Sequence, residues 1–178
     1  LAAALAHFGL NVDGRVALDV GASTGGFTQT LIERCAARVY AVDVGKGQLH
    51  ATLAADPRVV ALEECDARQL DRTIVPEPID AIVADVSFIS LAKALPAALS
   101  LATAGCWLVA LVKPQFEVGR EGIGKGGIVR DEALRGRALS DVREWLAAQA
   151  GWTVIGTTPS PIEGGSGNVE FLIAAVKS

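Results

Sequence analysis

Short apolar runs alternate along the chain with stretches in which apolar residues recur every three or four positions. The runs Arg15–Val20, Arg38–Asp43, Val59–Glu63, Ile79–Asp85 and Trp107–Val112 are almost continuously apolar, and several are rich in valine. Runs of that kind suit parallel strands covered on both faces. Between them, Gly26–Arg34, Gln48–Ala55 and Leu91–Leu101 carry helix formers at helical spacing. Leu1–Phe8 predicts a short amphipathic helix docked on the core. Asp131–Ala150 predicts a longer one, with Asp131 as its N-cap and Gly151 just past its end. Thr153–Ser160 and Val169–Val176 read as two further strands, joined by Pro161–Gly167, which is too short for a crossover helix, so they should pair antiparallel. The pattern therefore predicts an α/β fold with a mostly parallel sheet of about seven strands, an antiparallel last pair and helices on both faces. Pro114–Arg130, with five glycines and no period, predicts a mobile loop at a strand end.

Bulk properties narrow the classes of function. The 178 residues suit one domain, 1–178, with a substantial core. No apolar stretch approaches the ~18–20 residues of a membrane span, and there is no secretory signal. Cys35, Cys65 and Cys106 are scattered, without C-x-x-C spacing, and only His7 and His50 accompany them, so no metal site is expected. Reduced thiols suit a cytoplasmic protein. The chain contains no methionine, and is expected to be part of a longer protein. Its net charge of −4 lacks the basic footprint of a nucleic-acid binder.

The most specific local signal is the turn Asp19-Val20-Gly21-Ala22-Ser23-Thr24-Gly25-Gly26-Phe27-Thr28, between the first strand and the first helix. Glycines there allow a tight turn and close approach of a ligand beside a helix N-terminus. A G-x-x-x-x-G-K-[ST] phosphate loop would need lysine where Phe27 stands. A dinucleotide G-x-G-x-x-G turn, as in an NAD-dependent oxidoreductase, would need glycine in place of Ser23. Asp19 adds negative charge where phosphates would lie, which a cationic sulfonium tolerates and a pyrophosphate does not. Asp43, followed by Val44, ends the second strand where an acid can accept from two ribose hydroxyls. Asp66, followed by Ala67, follows the third strand and could accept from an adenine amino group. Each of these acids could instead simply cap the next helix. Three acids at successive strand ends favour an adenosine-type ligand.

Asp85 ends the fourth strand, Lys113 the fifth, and Glu170 begins the last. Ligands of open parallel sheets gather at the carboxyl edge, so these three should face one cleft. A lysine at the end of a buried strand is costly unless paired, and Asp85 and Glu170 are its expected partners. Such a lysine can lie against a substrate hydroxyl and assist its deprotonation, with the acids orienting it. A purely structural ion-pair network is the alternative.

The strings Asp19–Phe27, Ala41–Gly45, Asp85–Ser90, Val112–Glu117 and Gly167–Phe171 resemble the hemolysin A/TlyA group, bacterial methyltransferases related to the FtsJ type. The match runs nearly end to end. The resemblance implies a Rossmann-like sheet that binds S-adenosylmethionine through Asp19, Gly21, Ala22, Ser23, Thr24, Gly25, Gly26, Phe27, Asp43, Val44, Asp66, Ala67 and Asp85. It implies a cytoplasmic enzyme that methylates a ribose 2′-hydroxyl of ribosomal RNA. The Lys-Asp-Lys-Glu set of FtsJ-type enzymes maps its last three members onto Asp85, Lys113 and Glu170. Its first lysine would precede Leu1, as would a small RNA-binding domain, so the 178-residue chain alone is expected to be of low activity. With RNA affinity residing mainly in that domain, an acidic catalytic core is acceptable. Lys113, Arg120, Lys125 and Arg130 could add phosphate contacts, unless they are only a solvated loop. The hemolysin name offers a membrane-lytic alternative, but the sequence shows no span, basic amphipathic helix or alternating barrel segment.

Overall fold

The structure, a computed structural model, describes residues 1–164 and 167–178, with only the backbone at Arg120. Seven strands form one sheet in the order β3-β2-β1-β4-β5-β7-β6. They are β1 (Val16–Val20), β2 (Arg38–Val42), β3 (Val59–Leu62), β4 (Ile79–Ala84), β5 (Ala102–Val112), β6 (Trp152–Pro159) and β7 (Phe171–Lys177). The first five pair in parallel; β7 runs antiparallel between β5 and β6. The helices are α1 (Ala2–Phe8), α2 (Gly26–Glu33), α3 (Ala51–Ala54), α4 (Leu91–Ala94), α5 (Pro96–Ser100), α6 (Pro114–Glu117) and α7 (Glu132–Ala147).

Both faces of the sheet are covered because its strands are apolar on both. Side chains alternate along a strand, so Leu18 and Val20 of β1 join Ile82 and Leu108 in a core shared with α4, α5 and α7. Ala17 faces the opposite way, into a second core with Ala81 and Val109, closed by Leu5 of α1 and Leu31 of α2. Each fully buried leucine or isoleucine adds roughly 1.5–3 kcal/mol. Asp131 caps α7 as the sequence suggests, accepting from Ala133 N at 2.8 Å and Leu134 N at 3.4 Å.

Several expectations need correction. The helix expected over Leu91–Leu101 is two, because Pro96 has no amide to continue α4 and instead opens α5. The one expected over Gln48–Ala55 shrinks to α3, whose start His50 fixes by accepting from Thr52 N. β5 begins at Ala102, five residues ahead of Trp107, with Gly105 at φ 79 and a register shift against β4. Pro114–Arg130 is not all irregular: it contains α6 and a 3-10 turn over Arg120–Gly122. Glu170 lies one residue ahead of β7. Within the expected connection Pro161–Gly167, Gly165 and Ser166 lie outside the described residues, as does the side chain of Arg120.

The topology sets the site. Five parallel strands bring their carboxyl ends to one edge of the sheet, and β7 starts there, with Val112 opposite Phe171. Lys113 and Glu170 therefore leave the sheet side by side.

Candidate active site

Three adjoining hollows run along that edge. The first, about 360 Å³, lies beyond β1, β2 and β4, and Gly21, Ser23, Asp43, Val44, Asp66, Ala67 and Asp85 line it. The second, about 330 Å³, is walled by Gly21, Ala22, Ser23, Thr24, Gly26, Phe27, Asp85 and Lys113. The third, about 340 Å³, contains Lys113, Gln115, Asn168 and Glu170. Ser87 borders all three.

The glycine turn is built for close approach. Gly21 has φ +82, and a Cβ on it would lie 2.5 Å from the Asp85 carbonyl oxygen, so only glycine lets the turn pass the end of β4. The amides of Gly21 and Ala22 both donate to the Val42 carbonyl, which fastens the turn to the end of β2. Gly25 lines neither of the first two hollows: a side chain there would collide with Leu53 and Leu49, so it serves the packing of α3 under the turn.

Asp43 does not cap a helix. Its Oδ2 accepts from Ser23 N at 2.8 Å and its Oδ1 from Gly45 N at 2.7 Å, so two backbone amides aim the carboxylate at the first hollow. Asp66 does cap: it accepts from Arg68 N at 2.9 Å and forms a two-pronged pair with the Arg68 guanidinium. That pairing holds its carboxyl down at about 2. Asp66 still borders the hollow, with part of its acceptor capacity engaged.

Asp19 is placed differently from its neighbours. It shares the Ala17 face of β1, is 0% exposed and borders none of the three hollows. The Thr28 hydroxyl donates to its Oδ2 at 2.6 Å, tying β1 to α2 beneath the turn, while its Oδ1 has no partner among the described residues. Burial pushes its carboxyl up to about 7, against the Thr28 hydrogen bond.

At the junction of the second and third hollows, Lys113 Nζ sits 2.6 Å from Asp85 Oδ1 and donates to Ser87 Oγ at 3.0 Å. Glu170, 5% exposed, was expected as a second partner of the lysine. It forms no ion pair among the described residues; its Oε1 accepts instead from Gln115 Nε2 at 3.2 Å. Burial raises the Glu170 carboxyl, offset by that hydrogen bond and by the charge of nearby Lys113. Ser87 and Gln115 were not singled out from the sequence. Neither was Phe88, which is 91% exposed at φ +67 with its ring 5.0 Å from that of Phe116. A bulky residue in left-handed backbone, with its ring in water, is costly for folding alone.

The donor set fits S-adenosylmethionine. Asp43, Asp66 and Asp85 offer acceptors for hydroxyl and amino groups between apolar walls such as Val20, Val42 and Val86, and Arg68, which also borders the hollow, is tied to Asp66. Ser23 N, which a pyrophosphate would need, already donates to Asp43.

An open α/β sheet with a glycine turn, an acid after β2 and a lysine–carboxylate pair at one edge is the arrangement of a nucleoside-binding α/β domain. Residues 1–177 match the FtsJ-like methyltransferase family, and the chain belongs to it. It is 49% identical over 173 residues to the 16S/23S rRNA (cytidine-2'-O)-methyltransferase TlyA of Mycobacterium tuberculosis, covering 97% of this chain and 64% of that protein. It is 41% identical over 170 residues to Hemolysin A of Brachyspira hyodysenteriae, covering 95% of this chain and 70% of that one. A solved structure from Lactococcus lactis, described as a candidate hemolysin, shares 40% identity with a TM-score of 0.95, covering 99% of this chain and 85% of that chain. The chain thus spans just under two thirds of its Mycobacterium relative.

Proposed function

We propose that this domain transfers a methyl group from S-adenosylmethionine to a ribose 2′-hydroxyl of ribosomal RNA, in the cytoplasm. The observation that carries this reading is the Lys113–Asp85 pair, set between the hollow beyond β1 and β2 and the one beside Glu170. Asp43 would take the ribose hydroxyls of the cofactor, Asp66 its adenine amino group, and the Gly21–Phe27 turn its amino-acid end. Bound there, the cofactor supplies an electrophilic methyl carbon on a sulfonium sulfur. Lys113 Nζ would stand against the substrate hydroxyl and pass its proton to solvent as that oxygen takes up the methyl group. Asp85 and Ser87 aim the lysine. The Phe88–Phe116 pair offers a stacking face for a base beside that hydroxyl.

The names of relatives that methylate cytidine 2′-oxygens support the choice of substrate. The net charge of −4 suits a catalytic core whose RNA affinity lies mainly in chain outside these residues. Lys125 and Arg130, both exposed and flanking the Gly126–Gly127 wall of the third hollow, would add phosphate contacts. Among the described residues no helix is long and apolar enough to cross a membrane.

Calorimetric titration with S-adenosylmethionine tests the cofactor half. Saturable binding that Asp43→Ala weakens supports it; no binding by the folded protein overturns it. Mass spectrometry of ribosomal RNA from cells with and without the gene tests the substrate half, which requires one ribose methyl group to disappear with the gene.

A further inference from the structure

The segment after β5 sends successive polar side chains to different walls of the cleft. Lys113 reaches Asp85 and Ser87, Gln115 turns to Glu170, and Glu117 Oε1 accepts from Leu91 N at 2.9 Å, which ties the segment to the start of α4. Gln115 has the least conventional environment of the three. Its Nε2 donates to Glu170 Oε1, and its buried Oε1 has no partner among the described residues. A buried amide with half its capacity unused is costly, so something other than its own satisfaction keeps it there. The same Glu170 oxygen faces Gly164, where any Cβ would collide with it, so only glycine leaves the carboxylate its place there. Among the described residues the carboxylate is thus fixed by one side-chain amide, in a space that Gly164 leaves open.

We infer that Gln115 is a positioning residue for methyl transfer: it fixes Glu170 as a charged carboxylate on the cleft wall, apart from Lys113. The lysine then keeps one ion-pair partner, Asp85, and retains donors for the substrate. This inference rests on the methyltransferase reading above. The charged groups acting on Glu170 are Lys113 from the end of β5 and Asp85 from the end of β4. Of the groups acting on Glu170, Gln115 and Lys113 favour its ionised form, while burial and Asp85 oppose it. Removing the amide leaves burial and Asp85 against Lys113 alone, so Glu170 takes a proton at higher pH.

The test is the pH dependence of single-turnover methyl transfer by the full chain, with S-adenosylmethionine and ribosomal RNA. Gln115→Leu should slow transfer at neutral pH roughly tenfold, the loss of a hydrogen bond to a charged group, and move the acid limb of the profile upward. Affinity for S-adenosylhomocysteine should stay unchanged. Gln115→Glu, which keeps the size of the side chain, should move the limb further, because two adjacent carboxylates share a proton. This variant supplies the measurement if Gln115→Leu does not fold. An acid limb that stays at its wild-type position in the folded variant overturns the inference, whatever happens to the rate. Lys113→Met measured alongside separates the two levels: loss of transfer there with an unmoved limb in the Gln115 variants sinks only Gln115's role, whereas wild-type transfer by Lys113→Met sinks the reading of the site itself.

Discussion

At the β1–β2 end of the cleft, Asp43 is held by two backbone amides, Ser23 N and Gly45 N; at the β4–β7 end, side chains hold one another, Lys113 with Asp85 and Ser87, and Glu170 with Gln115. Backbone amides fixed by a turn cannot re-pair without undoing the turn. Side chains can, by a change of rotamer. A pocket that receives the same cofactor in every cycle gains from the first arrangement. A place where a proton must leave a hydroxyl gains from the second, because the charges around it change during the reaction. The two ends meet at Asp85, whose carbonyl oxygen limits Gly21 to glycine and whose carboxylate pairs with Lys113.

The sharpest way to break this contrast is to remove the lysine. Lys113→Met should lower methyl transfer about a hundredfold or more, the usual span for a proton-transfer group, while calorimetry shows a much smaller loss of cofactor affinity, because Asp43, Asp66 and the Gly21–Phe27 turn would make most of the cofactor contacts. A joint loss of both would mean that the two ends act as one unit.

Asp19 extends the contrast beneath the turn, through stability. Its carboxyl stands at 3.8 unfolded and about 7 folded, so between those values folding takes up a proton. The Asp19 contribution is therefore most favourable below about pH 4 and is lost as pH rises through about 7, by an amount on the order of a few kcal/mol. Asp19→Asn keeps an acceptor for Thr28 and carries no charge. Urea unfolding at about pH 5 and about pH 8 should show the loss in wild type and a flatter dependence in the variant. Equal slopes in both proteins would remove Asp19 as the source.

How legible each end was follows from the same physics. The turn could be read because glycines at fixed offsets after an apolar run carry local backbone information, and Gly21 lies where the sequence placed it. Asp19 was read as a neighbour of the ligand, yet the period of two along β1, which sets it on the Ala17 face, already pointed it towards α2. Asp66 has Arg68 two residues on, a local cue to the pair that engages it. Gln115 and Ser87 had no comparable cue: the first bonds across 55 residues and the second across 26, and only the packed sheet brings those segments together. The expected Lys113–Glu170 pair failed for that reason, since the amide that intercepts Glu170 is invisible to spacing. The split at Pro96 was visible in the chain, and the apolar spacing around it outweighed it in the reading.

Asp43→Ala probes the backbone-held end directly. The variant frees Ser23 N and Gly45 N and removes the proposed acceptor for the cofactor ribose. Affinity for S-adenosylmethionine should fall roughly tenfold to a hundredfold, as expected when a hydrogen bond to a charged group is lost, and saturating cofactor should restore most of the transfer rate. If saturation does not restore it, the turn itself has moved, and Asp43 shapes both ends.

The smallest effect is expected at Asp131, outside the cleft. Asp131 caps α7, whose Val142 and Leu146 are buried against the sheet face shared with β5 and β7. Asp131→Ala should cost about 1 kcal/mol of stability in urea unfolding, the usual worth of an N-cap. Cofactor affinity and transfer rate should stay at wild-type values, because the cap touches neither the turn nor the Lys113–Asp85 pair. A slower transfer in this variant at full saturation would show that the side-chain-held end draws its geometry from the helix behind it. The contrast between the two ends would then reflect the scaffold under each, and not how their charged groups are bonded.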